Sequence, residues 1–386
     1  MQSKTKLAGK NMNRLQRENI IEVVSQLLGE QRRCNIAIFV SRFSKFEGTG
    51  SVAWQQAKDL LANGYNVTIF TFESDFDSFH DIKIVQLQPN LMKKNAIVNN
   101  FYRAFFSFNV FAILRLIFLL RDFDLVIVHQ GNLAPLAYLC RKFWKTKVIF
   151  WNHHVGEPIF RLTLLDIAGL FYTRIFSPIY WRLIKNFDLI VSVSHFSRRM
   201  LKENTGLDSI VLYNKIDLQR FRKNLDGKVI RKKHQIGDEP VILYVGRIAP
   251  HKGIHYLIEA FRLVKKHQPS AKLLIVGRSY HDKYFDRLKK LADESIIFVG
   301  PVDEKELPLY YAACDVYATC TIFEGFNLPL IEAQACGKPV VAFNIGPHRE
   351  TVKNGFLVEK GNINEFAKML IHLMSQQSDK GVRFAR

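Results

Sequence analysis

Cysteine is scarce and unpatterned in this chain of 386 residues. Cys34, Cys140, Cys314, Cys320 and Cys336 are an odd number and contain no C-x-x-C pair. That argues against a disulfide framework or a structural zinc site and fits a reducing compartment. No stretch approaches the ~20 uninterrupted apolar residues that span a bilayer. Residues 1–30 lack the apolar core of a secretory signal. Acidic side chains are short as well: 35 Asp plus Glu stand against 55 Lys plus Arg, a formal net charge of +20. The excess lies in the first half, where residues 1–230 hold 32 basic and 18 acidic side chains. Such a surface favours nucleic acid, an anionic membrane face or phosphorylated small molecules, and charge alone does not choose among them.

What is present is ordinary globular composition. Apolar residues make up 48 % and charged residues 23 %, which excludes wholesale disorder. The length implies two domains of about 150–200 residues. The expected protein is cytoplasmic, either soluble or peripherally attached to the inner membrane face.

Short β-branched runs alternate with helical patterns after residue 34. Strands are predicted over 35–40, 65–72, 82–87, 125–129, 148–152, 189–192 and 210–213, with helices such as 51–62 and 133–143 between them. After a polar stretch at 218–239 the rhythm restarts. Strands are expected at 241–245, 272–276, 296–299, 316–319, 340–343 and 356–358, with helices at 254–266, 283–292, 304–313 and 329–336. This βαβ alternation predicts an α/β chain of two Rossmann-like, doubly wound parallel sheets. The expected parts are a polar N-terminal extension (1–33), a first domain (34–217), a linker (218–239), a second domain (240–376) and a tail (377–386). Ligands of such folds bind beyond the C-terminal strand ends, so a cleft facing both domains is the expected site.

The densest constellation is Thr321–Gly337, TIFEGFNLPLIEAQACG. A loop leaves a buried-looking strand and enters a helix with Pro329 in its first turn, where a missing amide costs nothing. The helix then aims free amides at the cleft, a ready anion site. Glu324 lies in the loop and Glu332 inside the helix, so the two carboxylates can grip hydroxyls of two parts of one ligand. The plainer alternative makes Glu324 a helix-start charge and Glu332 a surface residue. Arg247 and Lys252 weaken it: both follow the strand that ends at Gly246, and two cations at a strand end suit a diphosphate. Gly277 and Gly300 close the next strands in the same way, and Ile345-Gly346-Pro347-His348-Arg349-Glu350 follows another.

The order Gly246-Arg247…Lys252-Gly253, Glu324-Gly325-Phe326…Glu332-Ala333…Gly337-Lys338-Pro339-Val340 and Gly346…Glu350 resembles the retaining GT-B glycosyltransferases of family 4. In layout the resemblance covers roughly residues 34–376. It implies that Arg247 and Lys252 hold the donor diphosphate in place of a metal, that Glu324 contacts the transferred sugar, and that Glu332 binds the nucleotide ribose. Gly246, Gly277, Gly325, Phe326, Asn327 and Leu328 would complete the donor site, with no cofactor and no metal. Departing negative charge would meet preorganised cations and a helix N-terminus. The sequence departs from the pattern at Asn327 and Lys215, where the family usually has Gly; Asn best tolerates a left-handed backbone after Gly.

The same resemblance makes the first domain the acceptor side, with a glycine loop, Phe46-Glu47-Gly48-Thr49-Gly50-Ser51, meeting the donor phosphates through Gly48 and Gly50. A lone G-x-G is also what an ordinary turn looks like. His129, His153 and His154 end strands, where a histidine is commonly a satisfied core or loop residue. The resemblance favours His153 as the cleft histidine, with His129 second and His154, Ser194 and Asn214 as weaker cleft candidates. Met92–Arg121 mixes aromatic with basic residues. It reads either as a helix covering the sheet or as a surface helix docking on anionic lipid through Phe105, Phe108 and Arg115.

The expected partners are a nucleotide-sugar donor and a saccharide or lipid-linked acceptor, with an anionic membrane surface as a further one; no nucleic acid is expected. The expected reaction moves a hexosyl unit to an acceptor hydroxyl with retention. A nucleotide-sugar 2-epimerase on the same scaffold is the alternative. A nucleic-acid-binding protein ranks lower, because the basic residues follow no helix-turn-helix, zinc-finger or RNP pattern. Asp75-Phe76-Asp77 and Asp122-Phe123-Asp124 have the spacing of metal-dependent GT-A enzymes, but the second pair precedes its strand, the wrong side for presenting a metal.

Overall fold

The computed structural model describes residues 19–29, 34–44, 48–75, 82–87, 110–153, 176–279 and 282–384. The chain divides into two compact units, Met1–Lys215 and Ile216–Arg386.

In the first unit a seven-stranded parallel sheet has the order β3-β2-β1-β4-β5-β6-β7. Its strands are β1 (Asn35–Phe43), β2 (Asn66–Ser74), β3 (Lys83–Gln86), β4 (Leu125–Val128), β5 (Lys147–Asn152), β6 (Leu189–Ser192) and β7 (Ile210–Val211). β4 reads LVIV and is buried at every position, the signature of a strand covered on both faces. Its register, Ile36 opposite Leu125 and Val126 opposite Val148, puts the sequential break in strand order between β1 and β4. That break is a topological switch point, where open α/β sheets leave a crevice at the C-terminal strand ends.

The helices include α1 (Ile20–Leu28), α2 (Gly48–Ala62), α3 (Val110–Leu119) and α4 (Ala134–Trp144), then α5, a helical run over 176–184, and α6 (His195–Thr205). α1 corrects the reading of residues 1–33 as a polar extension. Asn19 caps it, accepting from the amides of Ile21 at 2.8 Å and Glu22 at 3.2 Å. Ile20, Val23 and Val24 are buried, a helical spacing that packs the helix on α2. α3 lies within the basic aromatic segment; Phe105 and Phe108 fall outside the described residues.

The second unit repeats the plan with six parallel strands ordered β10-β9-β8-β11-β12-β13. They are β8 (Val241–Val245), β9 (Lys272–Val276), β10 (Ile296–Gly300), β11 (Val316–Thr319), β12 (Val340–Phe343) and β13 (Gly355–Val358). Its helices are α7 (Lys228–Lys233), α8 (Ile254–His267), α9 (Asp282–Leu291), α10 (Leu307–Ala313), α11 (Leu328–Ala335), α12 (His348–Thr351) and α13 (Ile363–Phe384). The switch point lies between β8 and β11.

Two more boundaries move. The stretch expected to be a linker belongs to this unit, because Phe221, Ile230 and Ile236 are buried in one cluster with Tyr310 and Tyr311. Three apolar anchors outweigh the charged residues between them. The expected tail is not separate either: α13 continues through Phe384, its buried Phe366, Leu370 and Met374 packing with α8.

Candidate functional site

In the second unit the loop after β8 and the loop after β11 are brought side by side by the pairing of those strands. Lys252 ends a short 3-10 turn, Pro250–Lys252, and Glu324 lies in the β11–α11 loop. Seventy-two residues apart in sequence, they form an ion pair in which Lys252 Nζ donates to Glu324 Oε1 at 2.7 Å and Oε2 at 2.9 Å. The loops are also joined by backbone, Ile322 N donating to His251 O at 2.9 Å. Burial pushes the Glu324 carboxyl up, but the Lys252 charge and hydrogen bond, with His348 and His251, outweigh it and hold Glu324 below the usual carboxylate range. The site therefore carries an ionised carboxylate and an ammonium at a helix start. Arg247, in the same loop as Lys252, is exposed.

Asn327 is the residue immediately before α11 and adopts φ 73°, ψ 72°, the left-handed conformation for which the family uses glycine. Its side chain has a second function. The amide Nδ2 donates to Nε2 of His348 at 2.9 Å, while Nδ1–H of His348 donates to the Phe343 carbonyl at 2.7 Å. This requires a neutral imidazole, and burial lowers the His348 pKa to about 4. His348 was legible only as a member of the Ile345–Glu350 motif; nothing in the sequence paired it with Asn327. Phe326 is buried and anchors the turn. Gly325 lies in the bend before it, and Leu328 opens the helix.

Glu332 lies in α11 and accepts from Tyr311 Oη of α10 at 2.7 Å. Burial pushes its carboxyl up to about 7, against the Tyr311 hydrogen bond and the Arg220 charge. Tyr311 had no sequence signal beyond its place in an apolar helix. Gly246 and Gly277 close neighbouring strands, and a Cβ at Gly277 would lie 2.0 Å from the Gly246 carbonyl oxygen. The need for glycine at 277 therefore comes from backbone packed on backbone.

In the first unit His129 follows β4 and His153 follows β5. His129 is fully buried, which lowers its pKa to about 3 and keeps it neutral. Its Nε2–H donates to Gln56 Oε1 at 3.1 Å, so its Nδ1 accepts from His153 Nε2 at 2.8 Å. Gln56, from α2, thus sets the tautomer of both rings. His154 lies outside the described residues.

The expected helix start at Ser51 is corrected. Gly48 and Gly50 stand inside α2, in its first turn, and do not precede it; Phe46 and Glu47 are outside the described residues. A Cβ on Gly50 would lie 2.6 Å from the Arg42 carbonyl, so the helix start packs against the end of β1. Ser194 is buried and caps α6, accepting from Ser197 N at 2.9 Å, which engages the hydroxyl in structure. Asn214 is part-buried just after β7.

The described aspartates of the two D-x-D runs have structural partners. Asp75 accepts from Arg42 at 2.9 Å, Asp122 pairs with Arg121, and Asp124 accepts from Asn35 N at 2.8 Å. Among the described residues no group of three or more His, Cys, Asp or Glu side chains is placed to hold a metal ion.

Two compact units, each built on a parallel doubly wound sheet, make up the GT-B fold. Residues 226–385 match the model of the glycosyl transferases group 1, and residues 46–220 match that of Glycosyltransferase Family 4. The chain belongs to this family.

It is 28 % identical over 255 residues to the GDP-mannose-dependent alpha-(1-6)-phosphatidylinositol monomannoside mannosyltransferase of Mycolicibacterium smegmatis. That match spans 61 % of this chain and 63 % of the relative. The enzyme of the same name from Mycobacterium tuberculosis H37Rv is 28 % identical over 277 residues, 66 % of this chain and 68 % of the relative. A glycosyltransferase of Haemophilus influenzae is 26 % identical over 365 residues, 89 % of this chain and 93 % of that protein. Among solved structures, Anabaena HepE in complex with UDP and glucose has a TM-score of 0.71 at 19 % identity, over 89 % of this chain and 91 % of that one. This likeness establishes the fold. These matches do not favour the epimerase alternative.

Proposed function

We propose that the protein transfers a hexosyl unit from a nucleotide-sugar to an acceptor hydroxyl with retention of configuration and without a metal ion. The observation that carries the reading is the part-buried Lys252–Glu324 pair at the β8/β11 switch point. As the bond from the anomeric carbon to the phosphate oxygen breaks, the electron pair leaves with the nucleoside diphosphate. Lys252, Arg247 and the free amides at the start of α11 would stabilise that charge. Glu324, held ionised, would accept from hydroxyls of the transferred sugar, and Glu332 from those of the ribose. His153, oriented through His129 and Gln56, is the candidate for contact with the sugar or acceptor.

The relatives' names support a lipid-linked acceptor and make GDP-mannose the first donor to test. Peripheral attachment to an anionic membrane face would bring the protein to such an acceptor. No described helix is long and apolar enough to cross a membrane.

A panel of UDP-, GDP- and ADP-sugars scored by thermal shift tests the donor class, since a ligand at about 100 Kd adds about 2.7 kcal/mol of stability. One base should raise Tm well above the others, and turnover with that donor should be insensitive to EDTA. No shift with any nucleotide-sugar would refute the reading.

A second expectation concerns pH. Glu332 titrates at about 7, above the ordinary carboxylate value, so it is largely neutral at pH 6 and largely ionised at pH 8. Only the carboxylate form accepts two ribose hydroxyls, and the diphosphate diester does not titrate in this window. Donor Kd should therefore fall as pH rises from 6 to 8. Glu332→Gln should weaken binding and flatten this profile; calorimetry that shows an unchanged slope in the variant would remove Glu332 from the ribose site.

A further inference from the structure

The outer side of the first unit's helix layer carries side chains that its core does not use. α3 buries Leu116, Ile117 and Leu120 in the core shared with α4 and the sheet. On its opposite side Leu114, Phe118 and Leu119 remain 49, 63 and 44 % exposed. The end of α4 adds Phe143 at 58 % and Trp144 at 38 %. The Phe118 and Trp144 rings lie 6.4 Å apart between centroids, and the indole N–H donates to the Ile117 carbonyl at 2.9 Å. The two helices therefore present one joined patch. Single exposed apolar residues are ordinary, whereas a joined aromatic cluster marks a contact surface.

Charge identifies the partner. Arg115, Lys142 and Lys145 are exposed around the cluster, and none is in an ion pair among the described residues. The runs 82–121 and 125–156 contain no Asp or Glu at all. Asp122, between them, is paired with Arg121.

We infer that this face of the first unit, built from α3 and the end of α4, docks on an anionic lipid surface. Phe118, Leu119, Phe143 and Trp144 enter the interfacial region, where aromatic rings settle, and the three cations meet headgroup phosphates. A second copy fits less well, because a two-fold contact would set the same cations against each other. Phe118 and Leu119 lie just before β4 starts and Phe143–Lys145 just before β5 starts, so the contact lies at the N-terminal strand edge, and the C-terminal strand ends that carry His129 and His153 stay off the lipid. The inference rests on the proposed peripheral attachment and names the face that makes it.

Co-sedimentation with phosphatidylcholine vesicles, with and without phosphatidylglycerol, at low and high salt, tests it. The intact protein should bind the phosphatidylglycerol vesicles and be weakened by salt. Phe118→Ser with Phe143→Ser should lower partitioning about thirtyfold. Lys142→Glu with Lys145→Glu should erase the preference for anionic lipid while the nucleotide-sugar thermal shift stays at the intact protein's value. Absent vesicle binding, or binding unchanged in both variants, overturns the docking face. So does a concentration-dependent dimer that the Phe118→Ser, Phe143→Ser pair dissolves. Vesicle binding without any nucleotide-sugar shift leaves the face standing and sinks the donor reading alone.

Discussion

Lys252→Ala should lower kcat/KM by a factor of about 150 to 900, about 3–4 kcal/mol of transition-state stabilisation, while the fold survives. The ammonium is held between the two loops at the β8/β11 switch point, 2.7 Å from Glu324. Two effects follow from its removal. A departing diphosphate loses a preorganised positive charge. In addition, Glu324 keeps its burial and loses its main counter-charge, so its pKa should rise from below the ordinary value to above it.

In the intact protein the depressed Glu324 pKa contributes stability that is present above the unfolded value and is lost as pH falls through the folded value. Lys252→Ala should therefore melt lower than the intact protein near neutral pH, with the deficit shrinking as acid protonates Glu324. Combining it with Glu324→Gln separates the effects. The double variant should recover part of the stability, since a neutral amide leaves no buried charge, and none of the activity. Steady-state kinetics with melting curves for the three variants decide the matter. A Lys252→Ala enzyme within a few-fold of the intact rate would remove this residue from the chemistry.

The parts of the fold legible in sequence are those where a single local signal decides. β4, with its uninterrupted LVIV, can only be a strand covered on both sides. The glycine-punctuated ends of β8, β9 and β10 set the βαβ rhythm of the second unit in the sequence alone. Boundaries failed where a few long-range contacts outweigh local polarity. The three anchors Phe221, Ile230 and Ile236 sit among charged residues at 218–239, and their burial depends on Tyr310 and Tyr311 some 75 to 90 residues away. Likewise Ile20, Val23 and Val24 form a helical stripe too short to stand out beside eighteen polar-rich residues.

The site divides along the same line. Lys252, Glu324 and Glu332 were legible because their residue types and spacing follow strand ends and a helix start. Their pairing was not, since only the parallel alignment of β8 with β11 makes residues 72 positions apart into neighbours. His348, Tyr311 and Gln56 act on Asn327, Glu332 and His129 through tertiary packing, which leaves no periodicity or motif to read. Gly50 has a packing reason that its motif did not show: a Cβ there would meet the backbone of Arg42 and Ser44.

Gly253→Ala should be nearly as damaging as loss of Lys252, though residue 253 touches no ligand in the proposed reaction. It sits at φ 62°, ψ 27°, between the turn that presents Lys252 and the first residue of α8. A Cβ there would lie 2.0 Å from the Cys320 carbonyl oxygen and 2.9 Å from its carbon, both of them backbone that cannot rotate away. Alanine in the left-handed region costs about 1–2 kcal/mol by itself, and the collision adds to it.

Gly206 supplies the control: it ends α6 at φ 73° with nothing within 4 Å of its notional Cβ, so Gly206→Ala meets the conformational cost alone. The variant at 253 should lose roughly 3 kcal/mol or more in chemical denaturation, against about 1 kcal/mol at 206. Relief of the clash must move the Pro250–Lys252 turn away from β11 and strain the bond from Ile322 N to His251 O. An ångström of displacement there separates Lys252 from Glu324, and misplacement on that scale costs about a hundredfold in rate. Measured below its melting temperature, Gly253→Ala should therefore lose activity that Gly206→Ala keeps. Equal stability and equal rates in the two variants would mean that the loops are not locked together at Cys320, and that Lys252 reaches its partner by side-chain flexibility instead.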